Sequence, residues 1–334
     1  MQKRLNTYLT MLLVPSKIEV LTLALHVKLF HLIETGKRTS NAMAIALDND
    51  PKNMEIFLDA LVALGLLVKK KGVYYNTEVA RTFFDVASPQ YCGDVFLHKK
   101  EMLWQGNKML SGLLKEGNKK AITAKHPKKW AHAAKKVLKQ EQKNLIAHIA
   151  VKIAKSIPTF PTMTNMLDLG CASGIIGLEI LKANPSLKGV FFDYPEVVEV
   201  VQENISEYNL QSRASTLSGD LQQDAIGSGY DLIWCSNIFY FLENEQEILK
   251  KIHNALNPNG ILISAHVEVD ETNPLGADGF FHFLFLNLQG RRTFKPDALT
   301  SLFKKANFET LQTYVSHEMP MTPTTIHLLK KSAS

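Results

Sequence analysis

The chain has 334 residues, of which 46% are hydrophobic and 21% are charged, a composition typical of a soluble globular protein with two domains. No apolar run reaches the ~18 residues of a membrane span, no signal-peptide pattern is present, and three widely spaced cysteines indicate neither disulfides nor zinc, so we expect a cytoplasmic, metal-free protein. The formal net charge of +6 is concentrated in residues 99–143, where thirteen lysines accompany three glutamates, so it is a local feature.

The N-terminal part of the sequence predicts a winged-helix domain, in which helices are followed by a hairpin. The predicted elements are helices over residues 17–34, 39–46 and 51–64 and strands over residues 66–68 and 73–75. Gly36 ends the first helix, Thr39 or Ser40 caps the second, and Asp50-Pro51 begins the third. We therefore expect a mostly α-helical N-terminal domain.

A lysine-rich helical connection is predicted from residue 104 to about residue 155. One apolar stripe contains Trp130, Ala134, Val137 and Leu138, with lysines on the other faces. The prolines in residues 158–161 mark a plausible boundary. We therefore predict a winged-helix domain plus connecting region over residues 1–157 and a second domain over residues 158–334.

The second domain alternates strands with helices, which predicts an α/β, Rossmann-like, doubly wound parallel sheet. Strands are predicted over residues 166–169, 189–193, 231–236 and 261–267 and around residues 325–329. Helices are predicted near residues 175–183, 195–208, 243–256 and 296–306. Ligands of such sheets bind beyond the carboxyl ends of the strands, so the turn Gly170–Gly174 after the first strand is a candidate cofactor site.

The glycine turn, Gly170–Gly174, differs from the fingerprint of dinucleotide-binding proteins. That fingerprint requires glycine at three places, and the second and third are Ala172 and Ile175 here. Asp168 precedes the turn, and a carboxylate suits a cofactor with a positive amino group better than a pyrophosphate. The turn therefore favours a cofactor other than a nicotinamide or flavin dinucleotide.

Two further carboxylates follow strand-like segments at the expected edge of the sheet. Asp193 lies about twenty residues beyond the glycine turn, where a carboxylate can accept hydrogen bonds from both ribose hydroxyls. Asp220 can accept a hydrogen bond from the exocyclic amine of adenine, and Leu221 can cover the adenine ring. Either aspartate alone is more simply a turn or cap residue, but their spacing together favours a nucleoside site.

At these motifs the sequence resembles a known family, the small-molecule O-methyltransferases typified by plant phenolic and acetylserotonin enzymes. The similar segments are residues 60–67, 167–174, 192–197, 219–220 and 256–260. The resemblance implies a class I methyltransferase that uses S-adenosylmethionine (SAM), without metal, and a winged-helix domain that forms a homodimer. The cofactor-binding residues that we expect are Asp168, Gly170, Ala172, Gly174, Asp193, Tyr194, Asp220, Leu221 and Ser236.

The sequence departs from this family at the catalytic positions. Tyr240 stands where the family has a histidine base, and His266 stands where it has the glutamate that orients that base. An imidazole with an ordinary pKa near ~6.5 is a better base at neutral pH than a phenol near ~10, so we expect His266 to hold any base function. His266 could equally be a buried structural histidine, and Tyr240 could line a pocket.

Methyl transfer can also proceed by positioning alone when the acceptor ionises without help. His282, in the aromatic segment 280–286, aligns roughly with a polar pocket position of the family, although a place in an aromatic core is the simpler interpretation. The aromatic residues near 239–241 and 280–285 predict a largely apolar pocket for a small, planar or hydrophobic acceptor. O-methylation is the expected reaction, and C- or S-methylation the alternative.

A second alternative is a winged-helix DNA-binding or regulatory protein. The supposed recognition helix, residues 53–61, contains two acidic residues and no arginine, which disfavours phosphate contacts. The lysines of residues 99–143 are not interleaved with stacking aromatics apart from Trp104 and Trp130, so a solvated helix face is the better interpretation. We expect a small-molecule acceptor and neither a nucleic acid nor a membrane partner.

Overall fold

The computed structural model of the protein describes residues 2–116, 127–270, 272 and 277–332. The backbone forms two compact units, residues 1–100 and 101–334. The connecting region that we predicted to accompany the first domain therefore lies in the second unit. The reason is packing, since the apolar face of the helix over residues 147–155 contributes to the same core as the helix over residues 175–183.

In the first unit, the helices and strands follow the predicted order. They are α1 (Gln2–Met11), α2 (Val14–His26), α3 (Leu29–Glu34), α4 (Ser40–Leu47), α5 (Pro51–Ala63), β1 (Leu67–Lys70), β2 (Val73–Asn76), a π-helical turn (Ala80–Phe84) and the start of α6 (Gly93–Glu116). The single helix predicted over residues 17–34 is wrong, because Lys28 adopts a left-handed conformation (φ 52°) that separates α2 from α3.

Local capping explains why the other predicted boundaries are correct. The Thr39 hydroxyl accepts a hydrogen bond from Ala42 N (3.2 Å) at the start of α4. The Asp50 carboxylate accepts from Lys52 N (3.0 Å) and Asn53 N (2.8 Å) at the start of α5. The hairpin is confirmed, with β1 and β2 antiparallel. Each of these features depends on residues close together in sequence.

The first two helices expose an unusually apolar surface. The helical stretch Leu5–His26 is 22 residues long, has a mean hydropathy of 1.5 and is long and apolar enough to cross a membrane by those two criteria alone. This differs from our expectation that no such segment exists. In this stretch, the apolar side chains that are at least 46% exposed are Leu5, Tyr8, Leu9, Met11, Leu12, Leu13, Val14 and Leu23. An exposed apolar surface of this kind marks a site of contact with another protein chain or with a membrane.

In the second unit, helices flank a seven-stranded sheet. The helical elements are the remainder of α6, α7 (Pro127–Ala133), a π-helical turn (Ala134–Leu138), α8 (Lys139–Glu141), a π-helical turn (Gln142–Ile146), α9 (Ala147–Lys155), a 3-10 turn (Phe160–Thr162), α10 (Ile175–Ala183), α11 (Pro195–Glu207), a 3-10 turn (Phe239–Phe241), α12 (Glu245–Ala255), α13 (Ala277–Leu288) and α14 (Ala298–Lys305). The strands are β3 (Asn165–Leu169), β4 (Lys188–Asp193), β5 (Ala214–Ser218), β6 (Tyr230–Ser236), β7 (Leu256–His266), β8 (Phe308–Ser316) and β9 (Thr324–Lys331).

The strand order, β5-β4-β3-β6-β7-β9-β8, confirms the α/β class. The sheet is not wholly parallel, however, because β9 pairs antiparallel with both β7 and β8. The carboxyl ends of β5, β4, β3 and β6 are neighbours at one edge, and they are parallel to one another. That edge is where ligands of open parallel sheets bind.

Candidate active site

The glycine turn between β3 and α10 has the geometry that its small residues predict. Gly170 (φ 69°), Ala172 (φ 52°) and Gly174 (φ 73°) are all left-handed. A Cβ at Gly170 would lie 2.6 Å from Cγ2 of Ile238, so only glycine fits beside that side chain. The turn therefore presents its backbone at the carboxyl edge of the sheet.

Asp168 lies inside the protein, behind the glycine turn. Its side chain is buried, and Oδ2 accepts a hydrogen bond from Gly177 N (3.0 Å) in α10. Burial raises the pKa of Asp168 to about 7, opposed by the Gly177 hydrogen bond, and the neighbouring Asp193 raises it further. This carboxylate thus fixes the start of α10 and places negative charge under the turn.

Asp193, the last residue of β4, joins that strand to the glycine turn. Its Oδ2 accepts from Ala172 N (2.9 Å), and its Oδ1 accepts from Tyr194 N (2.8 Å). Burial raises the pKa of Asp193 to about 6, and these two hydrogen bonds oppose that rise. Because an ionised carboxylate offers about four acceptor positions, it retains capacity for ligand hydroxyls.

The remaining predicted cofactor residues lie along the same edge. Gly219 N donates to Asp193 O (3.0 Å), which brings Asp220 next to the end of β4. The Asp220 carboxylate accepts from Gln222 N (3.0 Å), while Leu221 is half-buried against the core. On the other side, Ser236 ends β6 and its Oγ accepts from Trp234 Nε1 (3.1 Å). The structure thus gathers the predicted set at neighbouring strand ends.

Gln142 contacts the glycine turn, although no sequence pattern singled out this residue. Its Oε1 accepts from Ser173 Oγ (2.5 Å) and Ile175 N (3.2 Å), and its Nε2 donates to Cys171 O (3.3 Å). Asn204 also contacts the turn, through Nδ2 to Ser173 O (2.8 Å). A polar residue in a lysine-rich helix carries no pattern that distinguishes it from a solvated one.

Polar side chains that hydrogen-bond the turn include the carboxylate of Asp193 and the carboxamides of Gln142 and Asn204, and the carboxylate of Asp168 hydrogen-bonds α10 directly after the turn. This set suits a nucleoside with hydroxyl donors and a positively charged tail. A pyrophosphate would instead meet two nearby carboxylates. The residues therefore fit SAM better than a dinucleotide.

His266 is the last residue of β7, and it is fully buried. Its Nε2 accepts hydrogen bonds from Ile238 N (3.2 Å) and Phe239 N (3.4 Å), so Nδ1 carries the proton and donates to Ser264 Oγ (2.9 Å). Burial holds the pKa of His266 well below its ordinary value, so the ring is neutral. Both ring nitrogens are engaged, and this geometry does not support the base function that we expected.

Tyr240 is equally engaged. Its hydroxyl donates a hydrogen bond to Val267 O (3.1 Å) and accepts one from Val267 N. The same hydroxyl lies 3.4 Å from Asn237 Oδ1. Burial raises the pKa of Tyr240 far above its ordinary value, which keeps the phenol protonated. Its side chain therefore ties the 3-10 turn to the segment after β7 instead of offering a base.

His282 borders the same aromatic cluster. Its ring packs edge-on against Phe283 (centroids 4.8 Å apart), and Phe283 packs against Tyr240 (4.6 Å). Beside this cluster, Trp130 lies edge-on to Phe241 (5.5 Å), and the Arg291 guanidinium lies 6.0 Å from the Phe241 ring. The three predicted catalytic residues thus meet in one region, which is lined mainly by aromatic rings.

Charge pairing weakens the nucleic-acid alternative. In the second unit, Lys135 pairs with Glu203 (2.8 Å) and Lys139 with Glu207 (2.5 Å), so these lysines dock on α11. In the first unit, the two acidic residues of α5, Glu55 and Asp59, pair with Lys69 of the hairpin. Three of the thirteen lysines, at positions 119, 120 and 125, lie outside the described residues.

No metal-binding group of three or more His, Cys, Asp or Glu side chains occurs in the described part of the chain.

Comparisons with known proteins identify the family of this chain. The O-methyltransferase domain model matches residues 122–309, and the O-methyltransferase dimerisation domain model matches residues 11–85. An uncharacterized protein of Methanocaldococcus jannaschii is 27% identical over 73% of this chain but only 65% of its own length, which is less than two thirds. The 3-hydroxy-5-methyl-1-naphthoate 3-O-methyltransferase of Streptomyces sahachiroi is 24% identical over 76% of this chain and 75% of its own length.

Among solved structures, human N-acetylserotonin methyltransferase in complex with SAM superposes with a TM-score of 0.77 at 19% identity, covering 99% of this chain and 98% of that one. This likeness concerns the fold. The family model, in contrast, spans more than half of the sequence. The chain therefore belongs to the O-methyltransferase family and is a SAM-dependent methyltransferase.

Proposed function

We propose that the protein methylates a small, planar, largely apolar acceptor whose nucleophile ionises in water without a protein base. The observation that carries this proposal is that Tyr240, at the family's base position, and His266, at the family's orienting position, are both buried and bound to backbone groups. Neither side chain is placed to take a proton from an acceptor. An acceptor that arrives as an anion, or that loses its proton to water, needs neither of these two side chains as a base.

Bound SAM supplies a methyl carbon on a sulfonium, so attack by an anionic oxygen forms the new C–O bond while the S–C electron pair returns to sulfur and S-adenosylhomocysteine (SAH) leaves. The protein's contribution is then to align the two reactants and to exclude water. Trp130 and Phe241 offer aromatic faces for a planar acceptor, and the Arg291 guanidinium near Phe241 favours an acceptor of negative charge.

The cofactor residues take the following proposed roles. Asp193 accepts from the ribose hydroxyls, Asp220 accepts from the adenine amine, and Leu221 covers the adenine ring. The backbone of the glycine turn lies against the amino-acid end of SAM. The buried carboxylate of Asp168 lies behind the turn, on the side of α10. Tyr194 and Ser236 border the site at the ends of β4 and β6. These roles are supported by the common position of the residues at one edge of the sheet.

The acceptor proposal is tested with methyl-labelled SAM and phenols whose pKa values range from about 5 to about 10. We expect each phenol's rate to rise with pH up to that phenol's own pKa and then to level off, because only the anion reacts. At neutral pH, the phenols with pKa values below about 7 should react on the order of 100-fold faster than those near 10. Thiols and enolic carbon acids in the same panel test S- and C-methylation.

The His253→Gln variant is the matched control for this experiment, because His253 packs edge-on against Phe308 (5.2 Å) at the start of β8, away from the aromatic cluster of Phe241 and Phe283. It should leave the shape of every pH profile unchanged. If the rates with all acceptors instead followed one and the same pKa, that pKa would belong to a group of the protein. This result would reveal a base and contradict the proposal. Transfer to none of the phenols, thiols or enols would contradict the proposed acceptor class.

We also propose that the protein is a cytoplasmic homodimer that pairs through its first unit, residues 1–100. The dimerisation domain model matches residues 11–85, and the exposed apolar side chains of residues 11–14 lie at the start of that region. A second copy of the chain would cover this surface, which therefore need not enter a membrane. Three free, buried cysteines are consistent with a reducing compartment.

Replacing Leu12, which is 72% exposed, by glutamate should place a charge in this interface and dissociate the dimer. Light scattering on a sizing column is expected to give twice the 37.5 kDa chain mass for the wild type and a single chain mass for Leu12→Glu. Val315→Glu, at a 52% exposed site on β8, is the control and should stay dimeric. A monomeric wild type would refute the proposal.

A further inference from the structure

Three hydrogen bonds connect the Gln142 carboxamide to the glycine turn and to the first residue of α10. Its oxygen accepts from Ser173 Oγ and Ile175 N, and its nitrogen donates to Cys171 O. Donor and acceptor ends are thus used together on groups up to four residues apart. A carboxylate could replace only the oxygen's contacts, and alanine could replace none of them.

The glycine turn needs such external support. Three of its five residues are left-handed, and for Ala172 this conformation costs about 1 kcal/mol. Asp193, at the end of β4, accepts a hydrogen bond from Ala172 N, and Asn204, in α11, donates one to Ser173 O. Gln142 instead comes from the helical segment before the sheet, so the position of that segment affects the shape of the turn.

We name residues 127–155, from α7 to α9, the connecting segment. Besides Gln142, it carries Trp130, which lies against Phe241 on the acceptor side of the site. At ~1.5 Å per helical residue, about 18 Å separate Trp130 from Gln142 along the segment. One helical element therefore contacts the proposed acceptor pocket at one point and the cofactor turn at another.

Two π-helical turns interrupt the connecting segment, Ala134–Leu138 and Gln142–Ile146. The first lies between Trp130 and Gln142, and the second begins at Gln142 itself. Wide π turns are rare, are less favourable than α-helical turns and occur frequently at functional sites. Because a π turn and an α turn differ by one residue in hydrogen-bond register, these turns allow small shifts of one end of the segment relative to the other.

We propose that Gln142 is a positioning residue: its carboxamide holds residues 171–175 in the shape that binds SAM. We also propose that, through Gln142, cofactor binding shifts the connecting segment and so changes the surroundings of Trp130. This inference rests on the proposed role of the glycine turn in binding SAM, but it is independent of the acceptor class. Gln142 acts through the turn and so is not assigned a catalytic role.

The test uses the full-length protein and SAH, whose affinity is measured by calorimetry without any acceptor. Gln142→Ala should weaken SAH binding about 10-fold, since it removes all three hydrogen bonds of the Gln142 carboxamide. Gln142→Glu should lose less, because its carboxylate still accepts from Ser173 Oγ and Ile175 N. Gln202→Ala is the matched control, since its amide bonds Thr216 on the surface away from the turn, and it should bind SAH normally.

Trp130 fluorescence tests the transmission step. SAH should change the emission of the wild type, and this response should be absent from Trp130→Phe and strongly reduced in Gln142→Ala saturated with SAH. A folded Gln142→Ala protein that binds SAH as tightly as the wild type would overturn the positioning role. An undiminished Trp130 response in saturated Gln142→Ala would overturn the transmission. If the wild type itself did not bind SAH, the cofactor role of the turn would fail instead.

Discussion

The Asp193→Asn variant is expected to bind SAM at least ~100-fold more weakly than the wild type while it remains folded. The wild-type carboxylate already holds Ala172 N and Tyr194 N, and its remaining lone pairs are available for two ribose hydroxyls. An asparagine has one acceptor oxygen, and its amide nitrogen would face a backbone donor. Each charge-assisted hydrogen bond contributes about 1.5–3 kcal/mol, so the loss of two accounts for this factor.

The matched control is Asp231→Asn. Asp231 also accepts backbone hydrogen bonds, from Thr164 N (2.8 Å) and Asn165 N (3.2 Å), but it lies at the start of β6, on the opposite edge of the sheet. We expect its SAM affinity, measured by calorimetry, to equal that of the wild type. Equal affinities for Asp193→Asn and the wild type would remove Asp193 from the cofactor site.

The pH dependence of SAM binding provides a second measurement on Asp193. Ribose hydroxyls donate to the ionised carboxylate, so protonation of Asp193, whose pKa burial raises to about 6, competes with the ligand. The dissociation constant should therefore increase about tenfold as the pH falls from 7 to 5. In Asp193→Asn the part of this increase that comes from Asp193 should be absent, and an increase that persists reports Asp168, whose pKa of about 7 lies in the same range.

The same raised pKa values affect the stability of the ligand-free protein. Asp168 and Asp193 have folded-state pKa values of about 7 and about 6, above the ordinary value of 3.8, so the folded chain binds more protons than the unfolded chain between these limits. These two groups therefore make the protein less stable as the pH rises from about 4 to 7. A positively charged cofactor offsets this cost, because it stabilises both ionised carboxylates.

The cofactor half of the site was predictable from the sequence because its determinants are local. Small residues that permit left-handed backbone occupy Gly170 to Gly174, and Asp193 directly ends a strand, so spacing along the chain indicated their position in space. The same holds for the caps at Thr39 and Asp50, whose hydrogen bonds span two or three residues.

The parts that were not predictable depend on distant contacts. The strand β8 was missed because it lies at the edge of the sheet and most of its residues are exposed, so it lacks an apolar run. The antiparallel direction of β9 follows from its pairing with β7, which no local pattern encodes. Gln142 contacts a turn that lies about thirty residues away in the sequence, and nothing in its neighbourhood indicates that contact.

The sequence left two roles open for His266, a base and a buried structural histidine, for a related reason. Its residue type suits a base, and the sequence left a buried structural role open as an alternative. Only the structure shows that the imidazole Nε2 accepts from Ile238 N and Phe239 N, twenty-eight and twenty-seven residues earlier. His266 thus holds the 3-10 turn that carries Tyr240. A structural role and a role as a base predict different effects of replacing His266, and these effects can be measured.

Replacing His266 by alanine is expected to lower the free energy of unfolding by about 3–5 kcal/mol. Two backbone donors would lose their acceptor in a buried site, the stacking contact with Phe239 (4.3 Å) would be lost, and a cavity would form. Denaturant titration followed by circular dichroism measures the change. His327→Ala is the matched control, because His327 is equally buried but its Nε2 has no hydrogen-bond partner, so its removal should cost less.

A base and a structural brace predict opposite results for His266→Ala. Loss of a base would leave the unfolding free energy nearly unchanged, and that result would contradict the structural role. The structural role also predicts a pH effect, since the pKa of His266 is lower in the folded chain than its ordinary value of 6.5. The unfolded chain then binds the extra proton, so wild-type stability should fall as the pH drops below about 6.5, and His266→Ala should lose part of that dependence.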